Sequence, residues 1–253
     1  MKRNFLTNFL SFILGLVIVA SFFIFKTSLQ AQETQPTLPA LQIHPLPTTL
    51  EKWQNTNEQG DYFSSLVSLP IGALIWTQFP INVYLERPID SDTTTASYQQ
   101  FQKWVNAVQT AIQEWNIYLP LEEVSQKEIA NIIIKRDFPP LSSTINPDGK
   151  LEIPRARTAQ TRYDLEITQN QPATLIHRMT ISISPRLSEL SILSAARHEM
   201  GHALGIWGHS PVETDALYFS QVRNTPTISV RDINTLQKIY QQPTRLGWTI
   251  PNS

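Results

Sequence analysis

The stretch HEMGHALGIWGHS, from His198 to Ser210, holds three of the five histidines of the chain. His198 and His202 are four residues apart, so on a helix their imidazoles project from one face, one turn apart. This separation suits two nitrogen ligands of a single tetrahedral Zn²⁺. Glu199 lies about 100° further round the helix, where it can reach a water molecule at the metal without being a ligand. The stretch therefore predicts an active-site helix that holds a zinc ion.

A zinc site on this helix needs a third protein ligand, because two histidines leave a catalytic site incomplete. Gly205 can adopt a positive φ at little cost, so the chain can leave the helix there and turn back beneath the metal. His209 follows that turn and is the candidate third ligand. Asp215 stays open as an oxygen ligand, whereas Glu213 is close to the helix end and no glutamate follows it. We expect one catalytic Zn²⁺, held by the three histidines of the stretch.

Strand-like and helix-like patterns alternate along the rest of the chain. Alternating apolar residues predict strands, and apolar residues at helical spacing predict helices. The predicted strands are Ile75–Glu86, Asn131–Lys135 and Leu175–Ser184. The first predicted helix runs from Tyr98 to before Pro120, and the second from Glu189 to Leu204 after an N-cap at Ser188. The third begins at an N-cap at Ser229 or Asp232 and ends before Pro243. Pro80 is expected to push the first strand to a sheet edge. This order of elements predicts a mixed α/β or α+β domain.

Two segments between these elements are predicted to be irregular. Asn146–Gly149 has the composition of a turn. Leu151–Leu165 is expected to be a solvated loop, and the alternative is that its arginines contact substrate carbonyls. Those arginines are Arg155, Arg157 and Arg162.

Two histidines lie outside the zinc stretch. His44 falls among four prolines, and we expect it to be a solvent-exposed side chain without a function. His177 lies on a predicted strand and has no neighbour at ligand spacing, so we expect a half-exposed side chain that binds no metal.

The N-terminus has the order of an export signal. Lys2 and Arg3 precede an apolar run from Phe5 to Phe25, and Ala31 offers a cleavage point. A bilayer span needs about 20 residues, so a retained membrane anchor is the alternative for this run. The proline-rich residues 32–60 are expected to form a linker or short pro-segment before a catalytic domain of residues 61–253. Both interpretations place that domain outside the cytoplasm.

Composition excludes several classes of function. The chain has no cysteine, which removes disulfides, thiolate nucleophiles and cysteine metal ligands. The formal net charge is -1 and basic clusters are absent beyond the extreme N-terminus, so nothing indicates a nucleic-acid partner.

The zinc stretch resembles the metzincin signature HExxHxxGxxH, and within it the matrixin form in which serine follows the third histidine. The likeness covers roughly Ile75 to Tyr240. The order of the segments is similar to that of a matrixin catalytic domain. They are the strand INVYLE, the helix from Tyr98, the strands NIIIK and TISIS, the zinc motif, and DALYFS followed by SVRDINTLQKIY. The resemblance implies an α+β sandwich with a twisted mixed sheet, a long helix, the active-site helix and a C-terminal helix.

The chain departs from the matrixin pattern in three places. His209 falls one residue later than the third histidine of the signature, and we interpret Gly208 as an insertion that a small bulge absorbs. Leu217 stands where the family has its Met-turn methionine, and an apolar residue of similar volume can still pack beneath the ligands. Tyr218 next to it is expected to pack, with contact to the oxyanion as the alternative. The cysteine that keeps matrixins latent is absent.

The function implied is that of a zinc metalloendopeptidase. Glu199 would take a proton from the attacking water and deliver it to the leaving amine. The partner is then a peptide or protein substrate, and the catalytic domain is expected to be monomeric, with calcium dependence left open. Two alternatives remain, namely a non-catalytic zinc-binding surface module on a decayed protease scaffold and a hydrolase of another bond. Glu199 disfavours the surface module, since structural zinc needs no such carboxylate.

Overall fold

The fold is built on a five-stranded mixed sheet. The computed structural model describes residues 37–54, 58–89, 92–140, 144–145, 151–152, 157–220, 222 and 224–251. Its strands are β1 (Ile81–Leu85), β2 (Leu121–Glu123), β3 (Ile132–Lys135), β4 (Thr144–Ile145), β5 (Leu151–Glu152), β6 (Ala159–Ile167) and β7 (Leu175–Ile183). The sheet order is β2-β1-β3-β7-β6, and β4 pairs with β5 alone. Neighbours in the large sheet are parallel, except that β6 runs antiparallel to β7.

Four α-helices accompany the sheet within the described residues. They are α1 (Thr48–Glu51), α2 (Ala96–Trp115), α3 (Glu189–Ala203) and α4 (Val230–Tyr240). The three longer helices correspond to the predicted ones. Each is preceded by a capping residue whose hydroxyl oxygen accepts the backbone N–H three residues further on, and these caps are Thr95, Ser188 and Ser229. Asp232 completes a capping box by accepting the N–H of Ser229. The fold is therefore mixed α/β and compatible with the predicted α+β class.

Helix α3, which carries the zinc motif, is fastened to the long helix α2. The indole Nε1 of Trp115 donates to the carbonyl oxygen of Arg197 at 2.9 Å. The guanidinium of Arg197 binds both carboxylate oxygens of Glu114, at 2.6 and 2.7 Å. Such bidentate pairing fixes orientation as well as distance. The helix is thus held in place one residue before His198.

The predicted edge position of the first strand is wrong. β1 lies between β2 and β3. Pro80 comes just before Ile81, the first residue of β1, so its missing N–H removes no bond from the sheet. The edges of the sheet are β2 and β6.

The arginine-bearing segment is not the solvated loop that was predicted. β5 and β6 occupy much of it, and β6 pairs with β7 over nine consecutive residues. Arg162 lies within β6, whereas Arg157 lies just before it and is exposed. Strand pairing supplied by β7, a tertiary contact, overrides the polar composition of this segment. Arg155 and the predicted turn Asn146–Gly149 lie outside the described residues.

The folded part begins earlier than the predicted boundary at Asp61. Residues from Leu38 onward form one compact unit. Gln42 and Thr244 exchange two backbone hydrogen bonds of 3.0 and 2.9 Å. Leu50 is fully buried, and Trp53 donates to the side chain of Asn234 at 2.9 Å. Helix α1 is a single turn in this proline-rich segment, and its Leu50 nevertheless packs in the core.

Both histidines outside the zinc stretch are less exposed than predicted. His44 is half-buried, stacks on Trp248 at 4.1 Å and contacts the carbonyl oxygen of Leu246 at 2.9 Å. His177 is only 3% exposed and stacks on Trp76 at 3.9 Å. It occupies one of the alternate positions of β7 that face the core, and burial lowers its pKa to about 3. Neither belongs to the metal-capable group of the described residues.

No helix in the described part of the chain is long and apolar enough to cross a membrane. The apolar run Phe5–Phe25 and the cleavage point at Ala31 lie outside those residues.

The packing of the N-terminal segment gives a stability prediction. Leu50→Ala removes a fully buried side chain and should lower the free energy of unfolding by about 2–5 kcal/mol. Ile43→Ala, at a position 61% exposed on the same segment, should change it by about 0.5 kcal/mol or less. Urea unfolding of the two full-length variants measures both values. Equal, small effects would mean that the segment does not belong to the core.

Candidate metal centre

Helix α3 ends in a reversal that depends on Gly205. Helix α3 stops at Ala203, and Gly205 has a φ of +124°. The N–H of Gly205 donates to the carbonyl oxygen of His202 and that of Ile206 to the carbonyl oxygen of Gly201, both at 3.0 Å. These two bonds form a Schellman motif, which satisfies the last carbonyls of the helix while the chain reverses. The predicted turn at Gly205 is confirmed.

The reversal brings three histidines together. His198, His202 and His209 each offer one ring nitrogen, and these atoms all lie within 4.8 Å of one another. The Nε2 atoms of His198 and His202 are 3.1 Å apart. Two ligands of a tetrahedral zinc with bonds near 2.05 Å are separated by roughly 3.3 Å, so this spacing fits a shared ion. Three imidazole nitrogens are also a donor set that zinc accepts.

Backbone carbonyls orient two of these rings. The Nδ1 of His198 lies 2.9 Å from the carbonyl oxygen of Ala216, and the Nδ1 of His202 lies 2.6 Å from that of Ile206. A carbonyl can only accept, so each Nδ1 carries the proton and each Nε2 keeps its lone pair. This is how metal-binding histidines are normally prepared by their surroundings.

Burial keeps the rings of His198 and His202 neutral at pH 7, and the pKa of the more exposed His209 is shifted in the same direction. Burial lowers the pKa of His198 to about 4 and that of His202 to about 4. Burial and, secondarily, the positive charge of Arg157 also lower the pKa of His209. A neutral imidazole is the form that binds a metal. The charge of the exposed Arg157 thus reaches the site.

Gly208, the residue before His209, lies against a neighbouring segment. Gly208 forms an antiparallel bridge with Leu66, and the N–H of Val67 donates to the carbonyl oxygen of Trp207 at 2.8 Å. A Cβ on Gly208 would lie 2.8 Å from the carbonyl oxygen of Ser65 and 2.9 Å from the Cα of Leu66. Gly208 is not among the residues of positive φ. A glycine is needed here for close approach to Ser65 and Leu66, and its interpretation as an insertion stays a prediction.

The alternative carboxylate ligands lie outside the histidine group. Asp215 is buried, accepts a short hydrogen bond from the hydroxyl of Ser210 and pairs with Arg231 at 3.1 Å. Glu213 is exposed. Among the described residues, the metal-capable group consists of the three histidines. The hydrogen bond from Ser210 to Asp215 holds the chain just after His209. The sequence indicated Ser210 only as part of the motif.

Leu217 packs beneath the helix as predicted. It is fully buried, and a Cβ on Gly201 would lie 2.4 Å from the Cδ2 of Leu217. The leucine thus contacts α3 at Gly201, between His198 and His202, where only a glycine leaves room. Tyr218 is half-buried, with its ring 4.5 Å from that of Phe219. This contact is consistent with packing, and a role at the oxyanion stays a prediction.

A buried carboxylate holds the loop that orients His198. Asp232 accepts hydrogen bonds from the N–H of Ala216 at 2.9 Å and from the hydroxyl of Tyr62 at 2.6 Å. Burial raises the pKa of Asp232, and the Tyr62 hydrogen bond acts in the opposite direction. The sequence indicated Asp232 only as a candidate helix cap. The second role of Asp232 is to hold the loop at Ala216, with Tyr62 as a further hydrogen-bond partner. Tyr62 is distant in the sequence, and no sequence pattern indicated this contact.

Glu199 lies beside the histidines in a buried position. Its side chain is 7% exposed, and burial raises its pKa, while neighbouring His198 acts in the opposite direction. The hydroxyl of Thr161 on β6 donates to its Oε2 at 2.7 Å. Thr161 was missed from the sequence because its segment was interpreted as a loop.

No protein-family model matches the chain, and no curated protein is detectably similar to it. The case for a function therefore rests on the geometry of the histidine site and on the motif that forms it.

Exchange of His209 tests the ligand set. His209→Ala should weaken zinc binding by about 100-fold or more, since loss of a ligand costs at least as much as loss of its supporting contacts. Glu213→Ala, an exposed carboxylate four residues on, should leave zinc affinity unchanged. Competition with a chromogenic chelator measures both. Unchanged affinity in His209→Ala would remove that residue from the site.

Proposed function

We propose that the chain is a zinc-dependent metalloendopeptidase. The observation that carries the proposal is the placement of a buried carboxylate, Glu199, on the same helix as two of three converging imidazoles. His198, His202 and His209 would hold the zinc. When bound, the ion would supply Lewis acidity that activates water and polarises the scissile carbonyl.

The residues of the chain divide the remaining work. Glu199 accepts the proton of the attacking water and passes it to the leaving amine. Its burial supports this role, because a carboxylate with a raised pKa is a stronger base than an exposed one. No nucleophilic side chain is required, which agrees with the absence of cysteine.

The metzincin and matrixin resemblance supports the same function. The sheet order, with its single antiparallel edge strand before the helix of the zinc motif, is compatible with a zincin catalytic domain. The apolar run after Lys2 and Arg3 supports action outside the cytoplasm, with the domain either released or anchored at the membrane. Peptide or protein substrates follow from the reaction, and a monomeric catalytic domain is part of the proposal.

Casein cleavage tests the catalytic role of Glu199. The purified full-length protein should cleave unfolded casein, and a zinc chelator should abolish the cleavage. Glu199→Gln keeps the shape of the side chain but cannot accept the proton, so its rate should fall about 100-fold or more at unchanged zinc content.

Glu213→Gln is the matched control, an exposed glutamate that should cleave at the wild-type rate. Zinc binding without chelator-sensitive cleavage would instead support the non-catalytic surface module. Equal cleavage by Glu199→Gln would remove Glu199 from the mechanism.

A further inference from the structure

One side chain from the sheet reaches the Glu199 carboxyl group. Thr161 Oγ1 lies 2.7 Å from Glu199 Oε2 and 3.0 Å from the backbone oxygen of the same residue. Thr161 is 8% exposed and Glu199 is 7% exposed. The contact joins the edge strand β6 to the middle of α3, across 38 residues of sequence. A hydrogen bond this short to a buried carboxylate is a strong one.

The hydroxyl is held on a stiff support. Thr161 pairs with Ile181 of β7 in the register of the sheet. Threonine is branched at Cβ, so its χ1 angle has few accessible values. The sheet therefore restricts where Oγ1 can lie against helix α3.

Glu199 by itself has no such restriction. The terminal torsion of a glutamate is broad and close to two-fold, so its two oxygens exchange places easily. A donor fixed at one oxygen selects one orientation of the carboxylate plane and leaves the other oxygen to act on water. Catalytic groups need this kind of support, because misplacement by about 1 Å can cost 100-fold in rate.

We propose that Thr161 is a positioning residue, whose hydroxyl holds the Glu199 carboxylate in the orientation that takes a proton from water. This inference rests on the proposed function, since it assigns Thr161 a part in the same reaction. Thr161 acts through Glu199 and needs no contact with substrate. Removal of its hydroxyl should slow the chemical step and leave substrate binding and metal binding unchanged.

Three threonine variants of the full-length protein test the proposal on unfolded casein. Thr161→Val keeps the branched shape without the hydroxyl and should lower kcat on the order of tenfold. Its KM should stay within about twofold, because ground-state binding is not affected. Thr161→Ser restores the hydroxyl and should recover most of the wild-type kcat. Thr180→Val, on the neighbouring strand β7, is the matched control and should behave as wild type.

The outcomes separate this inference from the proposed function. If Glu199→Gln cleaves as fast as wild type, the proposed function fails, whatever Thr161 does. If Glu199→Gln is inactive but Thr161→Val retains the wild-type kcat, only the positioning role fails. A Thr161→Ser variant as slow as Thr161→Val would also overturn that role, since the hydroxyl would then be irrelevant. Should valine reduce zinc content or the unfolding temperature, Thr161→Ala replaces it in the comparison with serine.

Discussion

The site depends on a helix that ends in a left-handed glycine. The Schellman bonds at Gly205 and Ile206 reverse the chain directly after His202. A side chain at Gly205 would be strained at a φ of +124°, and its Cβ would lie 2.9 Å from the carbonyl oxygen of Leu74. The reversal brings a third imidazole within reach of the two on the helix. It also places the carbonyl oxygen of Ile206 where it orients His202.

The surroundings of the reversal hold the residues on both sides of His209 in place. Segment 63–67 runs beside the turn, and its backbone bridges Gly208 through Leu66. Asp215 and Asp232 hold the loop that follows Ser210. The backbone is therefore held both before and after His209. The segment from Gly205 to Ser210 is therefore supported by contacts that lie outside it. Leu217, in turn, fills the space that Gly201 leaves between His198 and His202.

Local signals in the sequence predicted the three longer helices and the convergence of the three histidines. Helix caps such as Ser188 and the four-residue spacing of His198 and His202 depend on neighbours within one turn, so a single sequence carries them. The burial of His177 and the packing of Leu50 depend on partners far along the chain. The polar composition of the segment that forms β6 hid its pairing with β7, and Thr161 was missed for that reason. Proline density likewise hid how the N-terminal segment packs.

The central claim is that three imidazoles share one zinc ion. X-ray absorption spectroscopy at the zinc edge of the metal-loaded protein reads the ligand set directly. The account predicts three imidazole nitrogens at about 2.0–2.1 Å and one further light-atom ligand from solvent. A spectrum with two imidazoles or fewer, or with a protein carboxylate in place of the third, would contradict it.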